Sequence, residues 1–227
     1  MASRLEFRTG SGEGSNDSDV TFTEWLAGLK SRGSNLLVTG DVPRETSAEF
    51  SRTLFGEGRR TRVLALTDPT ALDADAHLPV PSDDPNARVI DRRVDRRATA
   101  ASGITAASEF DRETLRTEVI SAIGRYDVEV GGFDPAELRL GVDSVEALSG
   151  GDDLVTLEQF LRGLTAVVRG SSGMAHYHLR LPDDDSLVDD LSPLFDARIE
   201  LRKRPGRAEQ RWHVPALGET TYWVELS

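Results

Sequence analysis

The stretch Asn35-Leu36-Leu37-Val38-Thr39-Gly40-Asp41-Val42-Pro43-Arg44-Glu45-Thr46-Ser47 constrains this chain more than any other. An apolar run of strand length ends at a glycine and passes through a polar turn. It then opens into the helical pattern Ala48, Phe50, Ser51, Leu54, Phe55 before Gly56. A strand feeding a helix through a short loop places unpaired N–H groups and a partial positive charge at the junction, which suits phosphate. Against the pattern G-x-x-x-x-G-K-[ST], Gly40 and Ser47 fall in place. Glu45 stands at the second glycine and Thr46 at the lysine.

The rest of the chain repeats the alternation. Residues 1–20 are mostly Gly, Ser, Asp and Glu and read as a disordered acidic tail, with 21–227 as one domain. Phe22, Trp25, Leu26 and Leu29 predict a short amphipathic helix with Thr23 as N-cap. Thr61 to Thr67 is a nearly continuous apolar strand, of the kind buried on both faces of a parallel sheet. The proline-rich residues 69–86 read as a loop, Arg88-Val89-Ile90 as a short strand, and the segment from Arg92 to Gly103 as a long loop.

A helix from Asp111 precedes a strand, Leu138 to Ser144, that carries Asp143 at its end. A second helix, from Asp153 to Arg169, leads to a strand from Met174 to Leu181 and a helix from Ser186 to Phe195 capped by Asp185 or Ser186. Arg204-Pro205-Gly206-Arg207 predicts a type II turn joining 197–203 to 208–214, and Thr221 to Leu226 a last edge strand. The expected fold is α/β: a mostly parallel sheet flanked by helices, with a C-terminal antiparallel hairpin.

Cysteine is absent, which removes disulfides, thiolate catalysis and sulfur-ligated zinc. No apolar run approaches the roughly 18 residues of a membrane span, and the N-terminus lacks a signal-peptide pattern, so a cytoplasmic protein is expected. The net charge is −12, and Lys30 and Lys203 are the only lysines. Such an acidic, arginine-based composition fits a halophilic cytosol, where a Debye length of about 3 Å or less screens self-repulsion.

With the loop after Val38-Thr39 and the strand ending at Asp143, the order of elements resembles the RecA/KaiC-like P-loop superfamily. More narrowly, it is similar to a haloarchaeal KaiC-like group of uncharacterised function whose P-loops have eroded. The resemblance spans residues 20 to 226 and implies a RecA-like sheet. It also implies that Asp143 matches the Walker B aspartate, that Asp68-Pro69 stands where a catalytic glutamate would follow its strand, and that the hairpin at Pro205-Gly206 matches the superfamily's C-terminal strands.

The departures damage the implied chemistry. Glu45 puts a carboxylate where backbone must approach phosphate, Thr46 supplies no ammonium, Pro43 lacks an N–H, and Asp41 adds negative charge. The degenerate nucleotide-binding set is Gly40, Asp41, Glu45, Thr46, Ser47 and Asp143; no catalytic residue, metal ligand or cofactor is assigned, with ATP and Mg²⁺ the sole cofactor considered. His176 and His178 share a strand face and read as hydrogen-bonded imidazoles.

A second signal is basic: Arg92, Arg93, Arg96 and Arg97 in the loop, and Arg202, Arg204 and Arg207 around the hairpin, with Arg198, Lys203 and Arg211 nearby. These residues suit an anionic partner or charged strand edges. The expected function is a catalytically inactive regulatory or scaffolding module acting through a protein partner. The alternatives are a non-hydrolysing nucleotide-binding switch and a DNA-associated regulator, and a homo-oligomer is implied by analogy alone.

Overall fold

The computed structural model describes residues 22–93, 109–149 and 154–226. The acidic tail, Arg96 and Arg97 of the arginine loop, and the predicted helix start at Asp153 lie outside them. Helix α1 (Phe22–Arg32) precedes β1 (Ser34–Thr39), α2 (Arg44–Phe55), β2 (Thr61–Leu66), α3 (Ala74–His77) and β3 (Ala87–Asp91). Then come α4 (Glu109–Val130), β4 (Leu138–Val142), α5 (Leu154–Gly170), β5 (Met174–Leu179) and α6 (Ser186–Leu191). Strands β6 (Ala197–Arg204), β7 (Arg207–Val214), β8 (Glu219–Thr220) and β9 (Val224–Glu225) close the described chain.

All nine strands join one sheet in the order β3-β2-β4-β5-β1-β6-β7-β8, with β9 also on β7. From β3 to β6 every pairing is parallel, and β6 with β7 is the antiparallel hairpin. The expected α/β architecture is therefore present. The interior strands β1, β2, β4 and β5 are buried throughout, as their continuous apolar runs require.

Strand alternation sorts their side chains to two faces. Leu37, Val63, Ala65, Leu140, Val142, Ala175 and Tyr177 pack with α4, α5 and α6 through Leu115, Leu161, Leu164 and Leu191. On the other face Leu36, Val38, Ile199 and Leu201 meet α1 and Phe50 of α2, while Leu64 and Leu66 meet Phe55. Phe22 and Trp25 of α1 meet Trp212 edge-on, with centroids 5.6 and 6.3 Å apart.

Several local readings are corrected. Thr23 lies inside α1, which begins at Phe22. Pro43 is the N-cap of α2 rather than part of its first turn, with extended φ and ψ of −54° and 148°. The loop over 69–86 contains the short α3. Helix α6 stops at Leu191 and tightens into a 3₁₀ turn, Ser192–Leu194, because Pro193 has no N–H to continue the α pattern. Asp185 is its cap, accepting a bond from the Leu187 N–H at 2.9 Å. The final edge strand is two short strands on β7, and Gly206 takes φ +80° in the hairpin turn as a type II turn demands.

Candidate functional site

Chain connections leave β1 through α2 on one face, whereas β4 and β5 are followed by α5 and α6 on the other. The carboxyl ends of β1 and β5 therefore border a topological switch point, where open α/β sheets hold ligands. Ser47, Asp68 and Asp143 come together there from three separate segments, with Arg44, His77 and Arg180 beside them.

All of these groups except His77 are engaged within the chain. Ser47 is buried, and its hydroxyl lies 2.7 Å from His178 Nδ1. One turn on, Ser51 Oγ lies 2.9 Å from His176 Nε2, so both imidazoles of β5 are held by α2. Asp143 is buried, and its Oδ1 accepts from the Thr67 N–H at 2.5 Å, with Thr67 Oγ1 2.8 Å away. Burial pushes the Asp143 carboxyl up to about 6, against the lowering effect of those bonds.

Asp68 lines the crevice as well. Its Oδ2 meets Arg180 at 2.6 Å and Arg44 at 3.4 Å, while Oδ1 accepts from Thr70 N–H and Oγ1 at 2.8 and 2.7 Å. Burial alone would raise its pKa, but the Thr70 bonds and the two guanidiniums hold it below the usual carboxylate range. What remains is a cavity of about 10 Å³, room for one water. His77 lines it with both ring nitrogens unpartnered, and burial lowers its pKa to about 4.

The loop itself is folded down on its neighbours. Gly40 donates to Leu181 O at 2.9 Å, and the Val42 N–H turns back onto Gly40 O at 2.9 Å. A Cβ on Gly40 would stand 2.1 Å from Leu201 O, at a φ of +116°. Glycine is thus required by the close approach of β6. Asp41 and Glu45 point to solvent and Thr46 is buried.

Ser47 with His178 has the spacing of a nucleophile and its base. Among the described residues, however, no group orients His178: its Nε2 is buried without a partner.

The arginines form two separate sets at opposite ends of the sheet. Arg92 pairs with Glu118 at 3.1 Å, and Arg93 clasps Asp91 and Asp73 and donates to the carbonyls of Ala71 and Leu72. On the hairpin, Arg202 and Arg207 both hold Glu209, at 2.6 and 2.8 Å, and Arg202 also lies 3.8 Å over the Trp223 ring. Arg204 is exposed beside the turn.

A further cluster was not foreseen: Asp183, Glu200 and His213 offer ligand atoms within 4.8 Å of one another. Arg198 bonds Asp183 and Arg211 bonds Glu200, so each of the two carboxylates is paired with a guanidinium. The hairpin register contained the signal, since the Pro205-Gly206 turn sets Arg198 against His213 and Glu200 against Arg211.

Fold and site together define an α/β protein with a narrow crevice at its switch point. The chain belongs to DUF7504, a family of unknown function whose model matches residues 33–201, from the start of β1 into β6. No curated protein matches it.

Proposed function

We propose that this chain is a RecA/KaiC-like domain that has given up ATP turnover and serves as a cytoplasmic regulatory or scaffolding module through contacts with a protein partner. One observation carries the reading: the groups that would serve a nucleotide are each tied to another residue of the chain. Ser47 holds His178, Thr67 holds Asp143, and Arg180 and Arg44 hold Asp68 over a cavity of about 10 Å³. Opening it would expose Asp143 and break the Asp68 ion pairs, while Glu45 and the missing lysine offer a triphosphate nothing in return.

The surface residues favour protein over nucleic acid. Arg92, Arg93, Arg202 and Arg207 are already matched to carboxylates, which removes most of the counterion release that drives DNA binding. Arginine beside Trp223 and the half-exposed Tyr222 supplies residue types that anchor protein interfaces. Among the described residues no helix is long and apolar enough to cross a membrane.

Calorimetric titration with ATP and ADP, with Mg²⁺ in concentrated KCl, tests the reading. No saturable heat is expected. Saturable binding lost in Asp143→Ala would overturn it in favour of a nucleotide switch, and arginine-dependent retention on DNA would overturn it in favour of a nucleic-acid regulator.

A further inference from the structure

At the opposite end of the sheet from the crevice, β2 and β4 place Arg62 directly against Arg139. Both are buried, at 2% and 9% exposure, on the face under the C-terminus of α2. Arg62 donates to the carbonyls of Arg60, Gly56 and Gly58 at 3.1, 2.6 and 3.0 Å, and Arg139 reaches Leu54 O at 3.5 Å and Met174 Sδ at 2.9 Å. Only the Leu54 carbonyl lies in the last turn of α2, the Arg62 acceptors being its C-cap Gly56 and the loop beyond, and a helix C-terminus offers only about half a negative charge against two guanidiniums.

Arg60 adds a third positive charge. Burial lowers the pKa of Arg62 and takes that of Arg139 down to about 10, and Arg60 acts on both in the same direction. Among the described residues no carboxylate forms an ion pair with Arg60, Arg62 or Arg139, and Asp84 raises the pKa of Arg62 without an ion-pair contact. The Nε atoms of all three are buried without a hydrogen-bond partner. Buried charge of one sign, directly opposed across two strands, is unfavourable unless something neutralises it.

We infer that Arg60, Arg62 and Arg139 form a binding site for a small monovalent anion of the halide class, chloride in the protein's own solvent. The donor set selects the class. The terminal nitrogens of Arg62 are spent on carbonyls, so the two-pronged edge that grips an oxyanion is broken and single Nε–H donors remain. A spherical acceptor suits isolated donors. Of the three, Arg60 lines an open cleft of about 370 Å³ with Arg59, Val130, Gly132, Asp134 and Glu137, and is the member of the cluster that meets solvent. The two carboxylates in that cleft disfavour multivalent anions.

Crystals grown in NaBr test the site directly. The expected result is an anomalous bromide peak within hydrogen-bond distance of Nε on at least two of the three arginines. In solution, the melting temperature should rise along a saturating curve as chloride replaces glutamate at constant K⁺, and the chloride-specific part should vanish in Arg139→Met and in the milder Arg60→Ala. No bromide at the cluster overturns the inference. So does an adventitious ion only: bromide on exposed arginines such as Arg207 as strongly as here, with an unchanged chloride response in Arg60→Ala. None of these outcomes depends on whether nucleotide binds at the crevice.

Discussion

Ser47 Oγ and His178 Nδ1 lie 2.7 Å apart, and this contact fastens the first turn of α2 to the end of β5. A serine at this place in a working phosphate loop serves Mg²⁺, whereas here its hydroxyl satisfies a buried imidazole. Ser47→Ala should therefore destabilise the fold by about 1–3 kcal/mol, the cost of leaving a buried polar atom unpaired. Chemical denaturation with and without Mg²⁺ checks this, and the loss should be the same in both.

Gly40 is held in place by β6. The Cβ of Gly40→Ala would stand 2.1 Å from the Leu201 carbonyl oxygen at a φ of +116°, so β1 and β6 would have to separate. The expected loss exceeds about 3 kcal/mol, from overpacking and backbone strain together. Gly58→Ala is the control, since its Cβ would meet nothing within 4 Å and it keeps a positive φ of +77°. Its loss should be about 1 kcal/mol. Equal unfolding midpoints for the two variants would remove the packing account of Gly40.

The sheet was legible because its strands announce themselves. Leu36-Leu37-Val38 and Val63-Leu64-Ala65-Leu66 are too apolar for any place but the interior of a parallel sheet, and Pro205-Gly206 fixes the hairpin register. Ser47 and Asp143 were also legible as neighbours, through the spacing of the loop and the strand that ends at Asp143. What filled the space between them was not. Arg180, Asp68 and His77 are brought there by tertiary packing, and no local pattern marks Arg180 as the partner of a residue 112 positions earlier. The arginine-rich hairpin misled for a related reason. Charge counted along the chain showed Arg198, Arg202 and Arg211, while the carboxylates that answer them lie across the strand register or, as with Asp183, on another loop.

Asp68 gathers Arg180 at 2.6 Å and Arg44 at 3.4 Å, but the two contacts differ in exposure. The Arg180 side chain is 16% exposed and that of Arg44 44%. Arg44→Ala should cost under about 1 kcal/mol and less still in concentrated salt. Asp68→Asn removes the charge that Arg180 faces and should cost about 3 kcal/mol with little salt dependence. A double-mutant cycle with Arg180→Met would recover most of that cost if the ion pair is its source. Additive losses would show that it is not.

Three buried imidazoles set the response to acid. Burial lowers the pKa of His77 to about 4 and of His176 to about 3, and it carries His178 well below the ordinary value of 6.5. Groups with depressed folded pKa contribute stability that is complete above 6.5 and lost as pH falls toward those folded values. Asp143 acts in the opposite sense. Its folded pKa is raised from 3.8 to about 6, so its contribution is present below 3.8 and lost as pH rises through 6. Near pH 5 the unfolded chain thus binds about three extra protons at the imidazoles and the folded chain about one at Asp143. The net difference of about two protons gives a loss of about 2.7 kcal/mol per unit of falling pH. Urea unfolding at constant KCl between pH 7 and 4.5 measures that slope. His176→Gln should lower it by about one proton, while Asp143→Asn should steepen it. A midpoint that stays flat over this range would mean that the imidazoles are charged in the folded chain, and the packing of α2 on β5 would then need another explanation.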